Sequence, residues 1–413
     1  MKIILSNYRY FMSGGPEKYL FAIQSMLRNA GHEVVPFSVK SSKNLPCDHQ
    51  DRFLSPIGDE DAVYAHEYRR TPGTILKFLA RQYYDPEAFF KARSFAKDIK
   101  PDLVYSLQFL NKMSPAVLDG FHSTGHPVVL RISDFGLICP QAHMFDGQQV
   151  CDACVKGNFL HPIARRCIKG SAAAGMIKGS ATMLHRLLRC RDRIDAYAFP
   201  SRYTMKRFAE AGFPEDRLHY LPTFIETPRT PPSPDRGETI LYFGRVVQEK
   251  GVHQLIEAWD GIPGDKPKLV VIGAQEGYEY ADRLIAKYGD RIEFHSFIAN
   301  SELASYIARA ICVVVPSVWY DNQPNVVLET YSQGKPIIAP DHGCFPDLVQ
   351  HSRTGFLYEA TNVESLREHL RWAMEHPAEM AEMGLRAFDF VRTDFTPQRH
   401  YETLMRIFQR ASS

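Results

Sequence analysis

The sequence predicts an α/β protein made of two doubly wound domains, each with a parallel sheet between layers of helices. Short β-branched runs alternate with helical patterns along most of the 413 residues, which is typical of strand–helix–strand units. The chain also exceeds the roughly 250–300 residues at which one hydrophobic core stops growing, and this favours two domains. We therefore expect two sheets that face each other across a cleft, with ligands bound where strands end and helices begin.

The composition favours a folded cytoplasmic protein. Hydrophobic residues make up 45% of the chain and charged residues 23%, which excludes a disordered polypeptide. The formal net charge of +2 is far too small for a protein that binds nucleic acid by charge alone. No apolar run approaches the ~18 residues of a spanning helix, and no signal peptide is evident. We expect a cytoplasmic protein that at most touches the membrane surface.

The strand pattern predicts where the domains begin and end. The N-terminal domain is expected at residues 1–225, with strands in the segments KIIL, EVVPFSV, DLVYS, HPVVLRIS and AYAFP. Prolines at 226–238 cannot sustain a helix or a central strand, so this stretch is interpreted as a linker. The C-terminal domain is expected at 239–396, with strands in TILYF, KLVVIG, IEFH, ICVVVP and KPIIAP. A helix at 397–413 can pack back on the N-terminal domain.

The first strand-end loop carries the glycine pair Gly14 and Gly15, directly before a helix predicted at Pro16–Ala30. Glycines there let backbone amides approach an anion at the positive end of the helix. The alternative is a plain glycine turn. No G-x-G-x-x-G motif is present, which disfavours a nicotinamide or flavin enzyme.

The second strand-end loop carries two cations. Gly244 ends its strand, Arg245 follows at once, and Lys250 precedes the next helix. Two cations that bracket a short loop can hold a diphosphate by charge-assisted hydrogen bonds. The alternative is solvated surface charge.

The third strand-end loop carries two carboxylates. Pro324 suits the first turn of a helix, and Gly334 suits its end. Amides at that helix N-terminus would point toward a ligand, and they belong to Gln323, Asn325 and Val326. Asp321 lies beside them and Glu329 one to two turns into the helix, so both can accept hydrogen bonds from sugar or ribose hydroxyls. The alternative, a capping acid and a surface glutamate, does not explain why Glu329 lies among apolar residues.

Taken together, four segments resemble glycosyltransferase family 4: GGPEKYLFAIQSMLRNAGHEV, GRVVQEKGVHQLIEA, VVVPSVWYDNQPNVVLETYSQGKPIIAPDHGCFPDLV and TGFLY. That family contains retaining, nucleotide-sugar-dependent enzymes with the GT-B fold. Its E-x7-E motif is altered here, because Asp321 replaces the first glutamate while Glu329 keeps the second.

The resemblance implies a role for each of these residues. Asp321 and the amides from Gln323 to Val326 would hold the donor sugar, and Glu329 the ribose. Arg245, next to Gly244, and Lys250 would hold the diphosphate of a UDP- or GDP-sugar. Gly14 and Gly15 would close on the same diphosphate from the other domain. The implied chemistry is front-face substitution with retention, which needs no divalent metal or other cofactor.

A second departure concerns the transferred sugar. Where many family members have a His-Asp pair, this chain reads LRISDFGLICP, so Ser133 stands at the position of the histidine and Asp134 follows. The resemblance therefore makes Ser133 a candidate catalytic position, together with Arg245, Lys250 and Asp321.

A cysteine-rich insertion is expected at about residues 139–170. Four thiols with a single C-x2-C pair fit a closed, structural tetrahedral zinc site, and they belong to Cys139, Cys151, Cys154 and Cys167. The alternative is buried free thiols.

The stretch between Cys154 and Cys190 contains no acidic residue. Its lysines and arginines alternate with apolar residues, so the stretch can rest on an anionic membrane surface where a lipid-linked acceptor waits. The alternative is a solvated helix face with an apolar underside.

The sequence thus predicts a retaining hexosyltransferase that extends a surface polysaccharide, using a nucleotide-sugar donor and a glycan or lipid-linked acceptor. Two alternatives remain. One is a nucleotide-sugar-binding protein with weak catalysis, motivated by Ser133 and Asp321. The other is a nucleotide-sugar epimerase of the same fold.

Overall fold

The computed structural model describes residues 1–61, 67–69, 71–232, 236–275 and 277–413, so part of the predicted linker, residues 233–235, lies outside the described residues. The chain divides into two compact units. Unit 1 comprises Met1–Asp146, Cys151–Leu221 and Tyr401–Ser413, and unit 2 comprises Gly147–Val150 and Pro222–His400.

Six strands in the described part of unit 1 form one parallel sheet in the order β2-β1-β3-β4-β5-β6. The strands are β1 (Lys2–Ser6), β2 (Glu33–Phe37), β3 (Leu103–Ser106), β4 (Val128–Arg131), β5 (Ala196–Phe199) and β6 (Leu218–Tyr220). The helices are α1 (Gly15–Asn29), α2 (Pro72–Gln82), α3 (Pro86–Ile99), α4 (Ala116–His122), α5 (His161–Arg165), α6 (Ala172–Leu187) and α7 (Arg202–Glu210).

The core of unit 1 explains these elements. Strand β1 pairs with β2 on one side and β3 on the other, with Ile4 opposite both Val35 and Val104. Residues on both faces of β1 are buried, as expected for a parallel strand covered by helices. Helix α1 packs its apolar stripe inward through Leu20 and Leu27.

Six strands in the described part of unit 2 form a second parallel sheet, in the order β12-β11-β10-β7-β8-β9. The strands are β7 (Thr239–Phe243), β8 (Lys268–Ile272), β9 (Glu293–His295), β10 (Ala310–Val314), β11 (Ile337–Pro340) and β12 (Gly355–Tyr358). The helices are α8 (Val252–Asp260), α9 (Glu279–Tyr288), α10 (Asn300–Arg309), α11 (Asn325–Ser332), α12 (Phe345–Leu348), α13 (Val363–Glu375) and α14 (Pro377–Asp394). The last helix, α15 (Pro397–Ser412), belongs to unit 1 from Tyr401 onward.

The sheet of unit 2 separates two apolar cores. Ile240 and Tyr242 of β7 belong to the core on one face, and Leu241 and Phe243 belong to the core on the other. This alternation follows from the two-residue period of a strand. The predicted fold class, α/β with two doubly wound parallel sheets, is confirmed.

The sequence analysis did not predict the short strands β6 and β12, which lie at the edges of the two sheets.

The last helix, α15, makes contacts within unit 1. Tyr401 of α15 hydrogen-bonds His32 Nε2 at 2.9 Å, and the ring of Phe408 lies 5.3 Å from that of Tyr105. The C-terminal helix thus contributes to the core of unit 1.

Candidate functional site

The order of the strands in unit 2 predicts where a ligand binds. The chain runs from β7 to β8 on one side of the sheet, and β10 pairs with β7 on the other side. Loops after β7 and β10 therefore diverge at the carboxyl edge, which is where ligands bind in doubly wound sheets. The predicted diphosphate loop and the predicted sugar loop are these two loops.

Glycines allow these loops to touch. Gly251 has a φ of +67°, and a Cβ there would lie 2.0 Å from the carbonyl oxygen of Pro316. Val318 N also donates to Glu249 O at 3.1 Å. The loops after β7 and β8 approach each other as closely. A Cβ on Gly273 would lie 2.1 Å from the carbonyl oxygen of Gly244. Only glycine, which has no Cβ, fits such contacts. The backbone of the predicted diphosphate loop therefore packs directly against that of the predicted sugar loop.

An ion pair joins Lys250 to Asp321 in this region. Lys250 Nζ lies 2.6 Å from Asp321 Oδ1, and Ser317 Oγ donates to Asp321 Oδ2 at 2.6 Å. The ammonium group also lies 5.2 Å from the centre of the Trp319 ring. Asp321 is only 7% exposed, and both of its oxygens have partners. The carboxylate therefore neutralises and positions Lys250, a role that the sequence did not suggest.

Several residues of this network were missed by sequence analysis. His342 Nε2 lies 2.9 Å from Ser317 O, and burial lowers the pKa of His342, so a neutral ring donates to that carbonyl. Tyr242 is buried, and its hydroxyl donates to Arg245 O at 2.7 Å. Their positions in the sequence could have identified both residues as candidates. Tyr242 lies near the carboxyl end of β7, and His342 lies shortly after β11.

The N-terminus of α11 opens beside Asp321. Pro324 is the residue before the helix, and the amides of Asn325 and Val326 begin the first turn. Gln323 Oε1 accepts a hydrogen bond from Thr223 N at 2.6 Å, while its buried Nε2 has no partner among the described residues. An anion or hydroxyl oxygen placed here would meet several donors at the positive end of a helix.

The remaining predicted residues of unit 2 lie at the rim of this region. Glu329 is half-buried in the second turn of α11, and Arg245 is exposed directly after β7. Arg245 can therefore reach an anion without first breaking a buried contact.

Unit 1 has a corresponding edge. Loops after β1, β3 and β4 line a cavity of about 170 Å³. Ser133 and Asp134 are among its lining residues, and Asp134 Oδ1 accepts a hydrogen bond from Gly136 N at 2.7 Å. Burial raises the pKa of Asp134, and nearby Lys178 opposes that rise. Ser133 thus lies at the ligand edge of its own sheet.

The glycine pair lies at the start of α1. Gly14 is extended, with a φ of 179°, so its conformation does not require glycine. Glu17 in the first helical turn is buried and lies 3.8 Å from Arg9, and burial raises the pKa of Glu17. A carboxyl group therefore already lies near this helix N-terminus, and diphosphate binding by Gly14 and Gly15 stays a prediction.

The zinc prediction is not supported. Cys139, Cys151, Cys154 and Cys167 line one small pocket with His161, but no group of His, Cys, Asp or Glu within the described ranges is placed to hold a metal ion. Burial, together with the neighbouring thiols, raises the pKa of Cys154 to about 12 and that of Cys167 to about 11. The alternative, buried free thiols, agrees better with the structure. The described cysteines form no disulfide bond, and Cys139 and Cys154 are buried.

Part of the chain is similar to known protein families. Residues 224–389 match the family described as Glycosyl transferases group 1. A GDP-mannose-dependent alpha-(1-6)-phosphatidylinositol monomannoside mannosyltransferase of Mycobacterium tuberculosis is 28% identical over 240 residues, which are 53% of this chain and 61% of that protein. A sulfoquinovosyl transferase of Arabidopsis thaliana is 27% identical over 221 residues, 48% of this chain and 38% of that protein. The matched regions thus span less than two thirds of both relatives.

Solved structures match over nearly the whole chain. Sucrose-phosphate synthase from Thermosynechococcus elongatus has a TM-score of 0.70 and 16% identity, covering 99% of this chain and 98% of that one. Anabaena HepE, solved with UDP-glucose, has a TM-score of 0.62 and 17% identity over 98% of this chain and 100% of that one. The fold is therefore GT-B. Residues 224–389 are thus similar to the group 1 glycosyltransferases.

Proposed function

We propose that the chain is a retaining glycosyltransferase that moves a hexose from a UDP- or GDP-sugar to a glycan or lipid-linked acceptor. The observation that carries this proposal is the Lys250–Asp321 pair, held between two strand-end loops beside the N-terminus of α11. That arrangement places a fixed positive charge next to groups that can bind hydroxyls. A nucleotide diphosphate linked to a sugar carries the complementary groups, which are a negatively charged diphosphate and the hydroxyls of the sugar.

The cations would act on the leaving group. When the glycosidic bond breaks, negative charge gathers on the departing diphosphate while the sugar becomes oxocarbenium-like. Lys250 is already oriented by Asp321, and Arg245 is free to approach from the rim. By analogy with an oxyanion-hole donor, each well-placed donor is worth roughly 3 kcal/mol in the transition state.

The environment of Asp321 supports retention by front-face substitution. Asp321 shares its oxygens with Lys250 and Ser317, so it is poorly suited to attack an anomeric carbon. In a front-face reaction the leaving phosphate oxygen accepts the proton of the acceptor. Glu329 and the amide of Gln323 would then hold hydroxyls of the ribose and the sugar.

The acceptor class is inferred from the relatives. The mycobacterial relatives carry names that specify a phosphatidylinositol mannoside acceptor and a GDP-mannose donor, and this supports a lipid-linked or glycan acceptor for the present chain. We place the reaction in surface polysaccharide synthesis on that basis.

One assay tests the proposal. The purified chain is incubated with UDP- and GDP-sugars, with and without membrane lipid extract, while nucleotide release and sugar identity are followed. We expect nucleotide release that depends on the extract, together with a glycosylated product. Sugar inversion in the free donor without any acceptor would instead identify an epimerase.

A binding protein with weak catalysis is the second candidate. It is favoured by the engagement of Asp321 with Lys250 and Ser317, because this carboxylate is then less available to the sugar. Saturable donor binding without transfer to any component of the extract would select this function.

We further propose that unit 1 contacts an anionic membrane surface through helix α6. Gly175 and Gly179 lie against the backbone of the preceding segment, because a Cβ at either position would come within 2.5 Å of the carbonyl oxygen of Pro162 or Phe159. This close packing turns the opposite face of α6 outward. That face exposes large apolar side chains, with exposed fractions of 56% for Met176, 53% for Met183 and 69% for Leu187.

Charge complementarity supports an anionic lipid as the partner of this face. Arg165, Arg166 and Lys169 are exposed just before α6, and residues 155–189 include no acid. Apolar insertion and basic flanks together are typical of proteins that lie on anionic bilayers. No helix in the described portion of the chain is long and apolar enough to cross a bilayer.

Vesicle co-sedimentation tests this contact. We expect binding to vesicles with phosphatidylglycerol but not to pure phosphatidylcholine, and at least tenfold weaker binding for the triple variant Met176→Ser, Met183→Ser and Leu187→Ser. Phe297→Ser is the control, since Phe297 is 83% exposed in unit 2. Equal binding by the triple variant and the wild type would exclude α6 as the membrane contact.

A further inference from the structure

The cavity at the carboxyl edge of unit 1 lies where its sheet changes direction. The chain runs from β1 to β2 on one side, and β3 and β4 follow on the other. Its volume of about 170 Å³ far exceeds the roughly 15 Å³ that one water needs. The loops after β1, β3 and β4 contribute Tyr8, Asn111 and Asp134 to the lining. This is the position where doubly wound sheets bind ligands.

Cations gather around the cavity. Lys112 and Arg131 line it, and Lys178 of α6 reaches it from the side, donating hydrogen bonds to Asn111 Oδ1 and Gln82 Oε1. Arg131 is held in place, because its guanidinium lies 3.8 Å from the centre of the Tyr19 ring and donates to Leu221 O at 3.2 Å.

Cations outnumber acids among the described charged residues at the cavity wall. Lys112 and Arg131 line the cavity together with Asp134, and Lys178 donates a hydrogen bond to the lining residue Asn111. A phosphoryl group carries a charge of about −2 at neutral pH, twice that of a carboxylate, and therefore complements several cations at once.

The amines are destabilised in their charged form. Burial, aided by Arg9, lowers the pKa of Lys112 to about 8, and burial, aided by Lys112, lowers the pKa of Lys178 to about 8. Glu67 opposes the first shift and Asp134 the second. A ligand with two negative charges would relieve this penalty, whereas a neutral sugar would not.

We propose that this cavity binds a phosphoryl group carried by the acceptor, with Lys112 and Lys178 as its main contacts. The proposal rests on the proposed glycosyl transfer and specifies the class of acceptor. Gln108 also lines the cavity, and its buried Oε1 has no partner among the described residues. It can accept a hydrogen bond from a hydroxyl next to the phosphoryl group.

Lysine acetylation tests the site without relying on activity. The full chain is saturated with UDP, so that the nucleotide site of unit 2 is filled, and is then treated with acetic anhydride at pH 8 with increasing inorganic phosphate. Peptide mapping should find that phosphate slows acetylation of Lys112 and Lys178 at least fivefold. Lys206, exposed on α7, should react at an unchanged rate. Equal rates at all phosphate concentrations would overturn the proposal.

Acceptor kinetics separate this proposal from the proposed function. Lys178→Met and Lys112→Met should each raise KM for a phosphorylated acceptor about tenfold while changing kcat little, and Lys206→Met should change neither. If transfer occurs but KM for phosphorylated and dephosphorylated acceptors rises equally, the phosphoryl site is wrong and the transferase stands. If phosphate protects the lysines but no transfer is found, the site stands and the transferase is wrong.

The source of the phosphoryl group is distinguished by two probes. Protection by glucose 6-phosphate identifies a phosphorylated sugar as the ligand. Protection by vesicles that contain phosphatidic acid, whose headgroup is a phosphomonoester, with none by phosphatidylcholine vesicles, identifies a lipid headgroup. Protection by neither probe, even where inorganic phosphate protects, would contradict an acceptor-borne phosphoryl group.

Discussion

Both units contain a six-stranded parallel sheet, but the lysines near the carboxyl edges of the two sheets have different surroundings. In unit 2, Lys250 is paired at 2.6 Å with the buried carboxylate of Asp321. In unit 1, Lys112 and Lys178 lie near further cations, and burial lowers the pKa of both to about 8. At one edge the lysine is held in an ion pair before a ligand arrives, and at the other edge burial disfavours the charged amines.

This difference indicates two ways of preparing a site for an anion. A paired lysine keeps its position, so it is suited to stabilising charge that develops during a reaction. Desolvated lysines that lie near other cations are stabilised when a ligand brings negative charge, which favours selective binding of an anionic group. The same fold thereby offers an edge suited to a leaving group and an edge suited to recognition.

The largest effect is expected from removal of the paired cation in unit 2. Lys250→Met should lower transfer at least 100-fold, since a single fixed donor to a developing anion is worth about 10²–10³ in rate. It should also lower the free energy of unfolding by about 3–5 kcal/mol, because Asp321 would stay buried without its partner. Steady-state kinetics and urea denaturation measure the two losses.

The double variant Lys250→Met/Asp321→Asn is the control for this prediction. It should recover most of the stability, because no charge is left unpaired, but none of the activity. Recovery of both would mean that Lys250 acts only in folding.

The loop contact in unit 2 should give the next largest effect. Gly251→Ala places a Cβ 2.0 Å from Pro316 O at a φ of +67°, so the two loops must separate, at a cost of roughly 1–3 kcal/mol. We expect weaker UDP binding in calorimetry as well as lower stability. Gly264→Ala is the matched control, with a φ of +84° and nothing within 4 Å of the new Cβ. Equal losses in both variants would show that backbone strain alone matters.

A smaller effect is expected at the rim of unit 2. Glu329→Ala should lower transfer about tenfold while leaving the thermal midpoint nearly unchanged, because the side chain is only half-buried. Loss of a hydrogen bond to one ribose hydroxyl has about this size. Near-normal transfer would remove Glu329 from the site.

A last prediction concerns pH and unit 1. The folded-state pKa of about 8 for Lys178 lies below the usual value of 10.5, so between pH 8 and 10.5 the unfolded chain binds more protons than the folded chain. The contribution of Lys178 to the free energy of unfolding should therefore rise with pH, by roughly 2 kcal/mol between pH 7.5 and 9.5. Denaturation at pH 7.5 and 9.5 should find a smaller rise in Lys178→Met than in Lys206→Met. Identical rises would contradict the buried state of this amine.

Helix α6 illustrates how far sequence reasoning reaches. Its pattern allowed either a basic membrane-facing surface or a solvated face with an apolar underside. In the structure, Lys178 and Arg186 turn toward the protein, where Arg186 donates to Ala211 O, and Met176, Met183 and Leu187 turn outward. Periodicity locates an amphipathic helix, but close packing at Gly175 and Gly179 decides which side is buried.

By itself, the sequence determined the fold class and most of the strand-end loops. These depend on local features: β-branched runs, proline at helix starts, and glycine after strands. It also placed Arg245, Lys250, Asp321, Gln323 and Glu329 in the loops and helix at the ligand edge of unit 2, because parallel strands bring their carboxyl ends to one edge.

Only the tertiary structure decided which of these residues meet. Lys250 and Asp321 are separated by 71 positions, and their contact depends on β10 lying next to β7 and on the missing Cβ of Gly251. The contact of Lys178 with Asn111 likewise depends on α6, which lies far along the chain from β3. Such contacts follow from strand order and close packing, and no local pattern of residues encodes either.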